Sequence, residues 1–151
     1  MVIRSLLLVL GLFLSASGMA TLAATAIEIT TLDSGTQLDA VLQYAEEPAG
    51  QMGPDQTMAL AWHRADKNSM SFGYTASVYW FRLNLQHSGT EAVTRLLSLS
   101  YPVLDHVRLH SRRNGGDWEV LELGDKQPFA ERPVDHRFFV IPLTMKPGGT
   151  N

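Results

Sequence analysis

Period-two alternation, broken at short intervals by turn residues, constrains this chain more than any other feature. Phe81, Leu83 and Leu85 alternate with Trp80, Arg82, Asn84 and Gln86, the spacing a half-buried strand needs. Leu97, Leu99 and Tyr101 repeat the pattern up to Pro102. Val107 and Leu109 alternate with His106, Arg108 and His110 up to Asn114-Gly115-Gly116, a hairpin turn, and residues 118–123 return as the partner strand. The run Phe138-Phe139-Val140-Ile141 is apolar on both faces, which fits a strand covered on two sides. Short strands with turns between them, and no long helical period, predict an antiparallel sandwich or barrel.

The earlier part of the chain is less decisive. Ile27-Glu28-Ile29-Thr30 alternates as a short strand, and residues 37–44 carry Leu38, Val41 and Leu42 at helical spacing. Pro48, Gly50, Gly53 and Pro54 predict a loop. Asp55 or Thr57 suits the start of one or two helical turns through Met58, Ala61 and Trp62, although Met58, Leu60 and Trp62 also fit a strand.

Arg4, the apolar run at residues 6–14 and the small residues at 15–26 form the pattern of a secretory leader, with cleavage expected after Ala23 or Ala26. The expected division is a signal peptide over 1–26 and one exported domain over 27–151. The 151 residues suffice for a single core, and the absence of cysteine leaves packing alone to hold it. A formal charge of −3 gives no electrostatic reason to expect nucleic acid. The turn at Lys146-Pro147-Gly148-Gly149 predicts a returning strand, so the chain reads as a sandwich without its closing strand.

Three stretches carry a resemblance. They are Ser71-Phe-Gly-Tyr-Thr-Ala-Ser-Val-Tyr-Trp-Phe-Arg82; Leu99-Ser-Tyr-Pro-Val-Leu-Asp105 with Val107; and Gly124-Asp125 followed by Pro128-Phe129, Glu131-Arg132-Pro133, His136-Arg137 and residues 139–143. In order and spacing they resemble the extracellular type 2 domain of seven-transmembrane receptors with diverse intracellular signalling modules, over about residues 37–151. Glu47-Pro48 departs from that family's usual Asp-Pro. The resemblance implies a periplasmic all-β fold, an antiparallel β-sandwich of jelly-roll type similar to carbohydrate-binding modules. It also implies a full-length protein in the inner membrane, with a diguanylate cyclase, histidine kinase or related output inside the cell. Homodimerisation would suit such outputs.

The expected function is extracytoplasmic sensing of a carbohydrate-like or other small polar ligand, without a cofactor. The expected site is Trp80, Arg82, Asp105, Arg132, His136 and Arg137, converging on one surface. Trp80 with Arg82 suits a sugar platform, with a ring for C–H faces and a guanidinium for hydroxyls; the same residues also read as core if the strand faces are reversed. Arg132, His136 and Arg137 suit a polar ligand, or equally a loop pinned by ion pairs to Asp105 or Asp125. His106, Arg108 and His110 share a strand face, but nothing in sequence completes a zinc site. The carboxylate pairs Glu46-Glu47 and Glu119 with Glu122 point to opposite faces of extended chain and do not form a glycosidase pair. No nucleophile elbow, phosphate loop or metalloprotease helix is present. The chain is therefore not expected to be an enzyme; a glycan-cleaving catalyst and a periplasmic protein-interaction domain are the competing readings.

Overall fold

The computed structural model describes residues 25–39, 41–66 and 71–150. The segment expected as a leader, residues 1–26, lies outside them except for Thr25 and Ala26. Among the described residues every regular element is a strand or a short 3-10 turn. All but one of the ladders are antiparallel, as expected of a β-sandwich.

The two longest strands are β6 (Val93–Leu99) and β9 (Phe139–Met145). They pair antiparallel, with Leu97 opposite Ile141 and Leu99 opposite Phe139. Phe139, Val140 and Ile141 are all buried, which accounts for a segment apolar at every position. β7 (Val107–Ser111) and β8 (Glu119–Leu123) form a two-stranded ribbon with Leu109 opposite Leu121 and Val107 opposite Leu123. Asn114 and Gly115 both have positive φ, and Gly116 N–H donates to the Arg113 carbonyl at 2.9 Å. That is the geometry a tight hairpin turn requires, and Asn-Gly tolerates it best. Leu97, Leu99, Leu109 and Leu121 pack around Leu123, Phe139 and Ile141, which form the main core.

A second cluster joins the chain ends. Ile29, Leu85 and Met145 are buried together, with Ile27, Leu83 and Val93 packed against them. Here β1 (Ala26–Glu28) pairs parallel with β5 (Asn84–Gln86), and the 3-10 turn at Ile29–Thr31 follows β1. The expected strand at Ile27-Glu28-Ile29-Thr30 is thus half strand and half turn. After β9 the chain reverses, and Thr150 forms an antiparallel bridge with Gln86.

The third unit is a three-stranded sheet with β2 (Gln43–Glu47) between β3 (His63–Arg64) and β4 (Val78–Arg82). The ambiguity over residues 37–44 resolves to a turn followed by β2, since Leu38 accepts from the amides of Val41 and Leu42 before the chain extends. Met58 falls in a 3-10 turn, Gln56–Ala59, rather than in a strand or an α-helix. The single strand expected over 79–86 is two. β4 ends at Arg82, and β5 begins at Asn84 with β1 as its new partner. Phe81 is therefore not core-facing with Leu85. It lies 43% exposed beside the rings of Tyr44 and Phe72, with Tyr79 stacked on Phe72.

Candidate functional site

Alternate residues of a strand face opposite sides. One side of the β2–β4 pair sets Gln43, Ala45 and Glu47 against Arg82, Trp80 and Val78. All three β2 residues are buried, so Trp80 and Arg82 occupy the interior side of this sheet, the reversed assignment. Buried polar groups need partners, and here the two strands supply them to each other. Glu47, 1% exposed, accepts the Trp80 Nε1–H at 2.6 Å, the Met52 amide at 2.6 Å and the Gln51 amide. These donors, the Trp80 indole foremost, hold its carboxyl below the usual carboxylate range against the opposing effect of burial. Glu47 is thus a charged clasp that fixes the indole of Trp80 and anchors the start of the 51–62 segment.

Gln43 Oε1 accepts from Arg82 Nε at 3.0 Å and Nη2 at 2.6 Å. The guanidinium lies 4.1 Å over the ring of Trp62, with Nη1 3.8 Å from the Met58 sulfur. Partial burial lowers the Arg82 pKa, yet a guanidinium in this setting remains charged. Trp62 is oriented by its Nε1–H, which donates to the Thr57 carbonyl at 3.0 Å.

The β7–β8 ribbon forms the facing wall. The His110 ring stands 5.4 Å from Trp80 and edge-on to Trp118 at 6.4 Å. Burial, helped by the nearby Arg108 charge, lowers the His110 pKa and favours the neutral ring at pH 7. Its buried Nδ1 has no hydrogen-bond partner among the described residues. Arg112 lies 4.4 Å over Trp118, and Asp55 Oδ1 accepts from both Arg112 Nη1 and Trp118 Nε1 at 3.1 Å. The chain's three tryptophans, drawn from three separate segments, therefore lie in two sets of contacts, Trp62 with Arg82 and Gln43, and Trp80 with Glu47, His110, Trp118, Arg112 and Asp55, which adjoin where Trp80 and Arg82 share one face of β4.

The remaining expected site residues gather at the other end of the ribbon. Asp105 forms an exposed ion pair with Lys126 at 2.8 Å, which lowers its pKa. Arg132 Nη1 donates to the carbonyls of His136 and Arg137 at 3.0 and 3.1 Å, and its guanidinium sits between the rings of Phe129 and Phe139. His136 Nδ1 accepts the Phe138 amide at 3.0 Å, and Arg137 lies over the Phe138 ring. These contacts are local and fold the 124–138 loop onto the start of β9. Val107, beside Asp105, and His110, beside Trp80, are three residues apart along β7, about 10 Å at 3.3 Å per residue. The contacts of Trp80 and Arg82 thus lie with β2 and the 51–62 segment, and those of Asp105, Arg132, His136 and Arg137 with the 124–138 loop and the start of β9.

Gln43, Glu47, Trp62, His110, Trp118, Arg112 and Asp55 were not among the expected site residues. Glu47 had a sequence signal, as the carboxylate before Pro48 in a motif position. Trp62 and Trp118 had only their residue type, because their shared surroundings depend on how the ribbon meets the sheet. Among the described residues no three His or carboxylate side chains are placed to hold a metal ion, and no helix is long and apolar enough to cross a membrane.

Neither the curated proteins nor the solved structures yield a match to this chain. A family model does, over residues 39–151, which include β2 to β9 and both residue groups. Its description is 7TMR-DISM extracellular 2, an extracellular domain of membrane receptors, and the chain belongs to that family.

Proposed function

We propose that this domain senses a carbohydrate-like or other small polar ligand outside the cell and passes the signal to the membrane and output regions of its receptor. The ligand is held on the side of the sheet that carries Trp80 and Arg82, with Trp62, His110 and Trp118 around it. The observation that carries this reading is that Trp80 and Arg82 share one face of β4, Arg82 lying over Trp62 and Trp80 reaching Trp118 through His110. Indole faces accept the C–H face of a sugar ring, while guanidinium groups offer polar contacts to hydroxyl or carboxylate oxygens. Asp105, Arg132, His136 and Arg137 are assigned to shaping the 124–138 loop, since Asp105 pairs with Lys126, Arg132 Nη1 holds the His136 and Arg137 carbonyls, His136 accepts the Phe138 amide and Arg137 covers the Phe138 ring.

Signalling follows population shift: a ligand that binds one arrangement of domain and membrane region better biases the output by that difference in affinity. Export by the 1–26 leader, a periplasmic location, a homodimeric receptor and a diguanylate cyclase or kinase output belong to the same proposal. Thermal shift of the protein against neutral and acidic sugars tests it. A stabilising sugar is expected, its effect abolished by Trp80→Phe or Arg82→Gln and retained in Arg137→Gln. Stabilisation by no sugar, or stabilisation indifferent to Trp80 and Arg82, would overturn the reading.

A further inference from the structure

His87 follows β5 and is only 3% exposed. Its ring nitrogens have different surroundings, and these fix the tautomer. Nε2 lies 2.6 Å from the Glu91 carbonyl oxygen, which can only accept, so Nε2 carries the hydrogen. Nδ1 is then the lone-pair nitrogen, and the Gly89 amide donates to it at 3.4 Å. Gly89 lies so close that a Cβ there would come within 2.6 Å of the ring, which leaves the imidazole little room to rotate. The carboxylate of Glu28 in β1 stands 3.7 Å from the same Nδ1.

The backbone of His87 makes a second set of connections. Its N–H donates to the Gly149 carbonyl and its carbonyl accepts from the Gly148 amide, both at 2.9 Å. One residue thus ties together the strand that opens the domain, the 87–91 turn and the chain emerging from β9.

We infer that His87 is a proton-responsive joint: uptake of a proton at Nδ1 exchanges its hydrogen bond from the Gly89 amide to the Glu28 carboxylate. The exchange is required by valence, because a protonated Nδ1 is a donor and cannot accept from Gly89. Glu28 is ready to receive it. The Thr30 hydroxyl and the Ser88 amide already keep its carboxyl ionised, and a shift of less than about 1 Å brings 3.7 Å to hydrogen-bond range. The other ionisable residues of the packed turns, Glu91 and Lys146, are exposed, and β5 contributes only Asn84, Leu85 and Gln86. An extracellular domain meets the pH of its surroundings directly, so this joint gives the Gly148–Gly149 segment a proton-dependent anchorage distinct from the tryptophan site.

The test is a pH series of 15N–1H spectra on the labelled protein from pH 8 to pH 5. The amides of Gly89, Ser88 and Gly148 are expected to shift together with the His87 ring in a single one-proton transition. The transition disappears in His87→Gln, and in Glu28→Gln the Ser88 amide, which Glu28 Oε2 holds in the wild-type protein, no longer moves with the ring. An unchanged Gly89 amide across the series in the wild-type protein would overturn the joint. A transition that survives His87→Gln, or is indifferent to Glu28→Gln, would do the same.

Discussion

Gly124 closes the main core by letting two backbones touch, and replacing it with alanine should be among the most damaging one-carbon changes in the protein. It follows β8 with φ of +142°, a conformation other residues rarely adopt. A Cβ there would lie 2.1 Å from the Asp105 carbonyl oxygen and 3.0 Å from the His106 Cα. Carbon and oxygen settle at about 3.3 Å or more, so the segments must part by about 1.2 Å. Both obstructing groups are backbone and cannot rotate away. The separation breaks the Asp125 amide bond to the Leu104 carbonyl at 2.7 Å and the weaker Lys126 to Asp105 bond at 3.4 Å. Backbone strain of ~1–3 kcal/mol and two hydrogen bonds at ~0.5–1.5 kcal/mol each place the loss at about 2–6 kcal/mol. With a urea slope of about 1.5 kcal/mol/M, the midpoint falls by roughly 1–4 M. Gly35→Ala is the control, since Gly35 has φ of +82° but nothing within 4 Å of its missing Cβ. It should cost only the conformational part, about 1 kcal/mol. If Gly124→Ala proves no worse than Gly35→Ala in parallel urea titrations, the close backbone approach is wrong.

Two further outcomes follow from the same structure. Phe139, 1% exposed at the centre of the main core, should lose about 3–5 kcal/mol on truncation to alanine, read as a lower urea midpoint with unchanged far-ultraviolet spectrum in the folded baseline. Glu28 has its carboxyl pKa lowered from 4.5 to about 2, chiefly by the Thr30 hydroxyl and then by Ser88. Because the folded value lies below the unfolded one, its contribution is complete above about pH 4.5 and fades as pH falls toward 2. Urea midpoints of wild type and Glu28→Gln should therefore differ most near neutral pH and converge by pH 2; a constant gap would contradict this.

The β7–β8 hairpin, and β6 and β9 as strands, were legible in sequence because each rests on local signals, alternation or an unbroken apolar run within a strand and Asn-Gly-Gly or Pro at its end, whereas the pairing of β6 with β9 had no local signal. The error at Phe81 has a physical origin. Alternation records which way a side chain points, but not which strand lies alongside, and at Leu83 the partner changes from β2 to β1. The same limit separates the two halves of the candidate site. Trp80 and Arg82 were recognisable as a face, whereas the burial of Glu47 and Gln43 depends on a ladder partner more than thirty residues away. Arg132 was recognisable as important, but its role as a clasp on the carbonyls of His136 and Arg137 depends on a loop conformation that no periodicity encodes.

The most direct measurement of the central claim follows the three indole N–H resonances while a stabilising sugar is titrated into the 15N-labelled protein. Their partners are the Thr57 carbonyl for Trp62, Glu47 for Trp80 and Asp55 for Trp118, so each reports on one wall of the site. The account predicts that all three move with one shared saturation curve. Saturable binding that leaves the three indoles still while shifting amides elsewhere would contradict it.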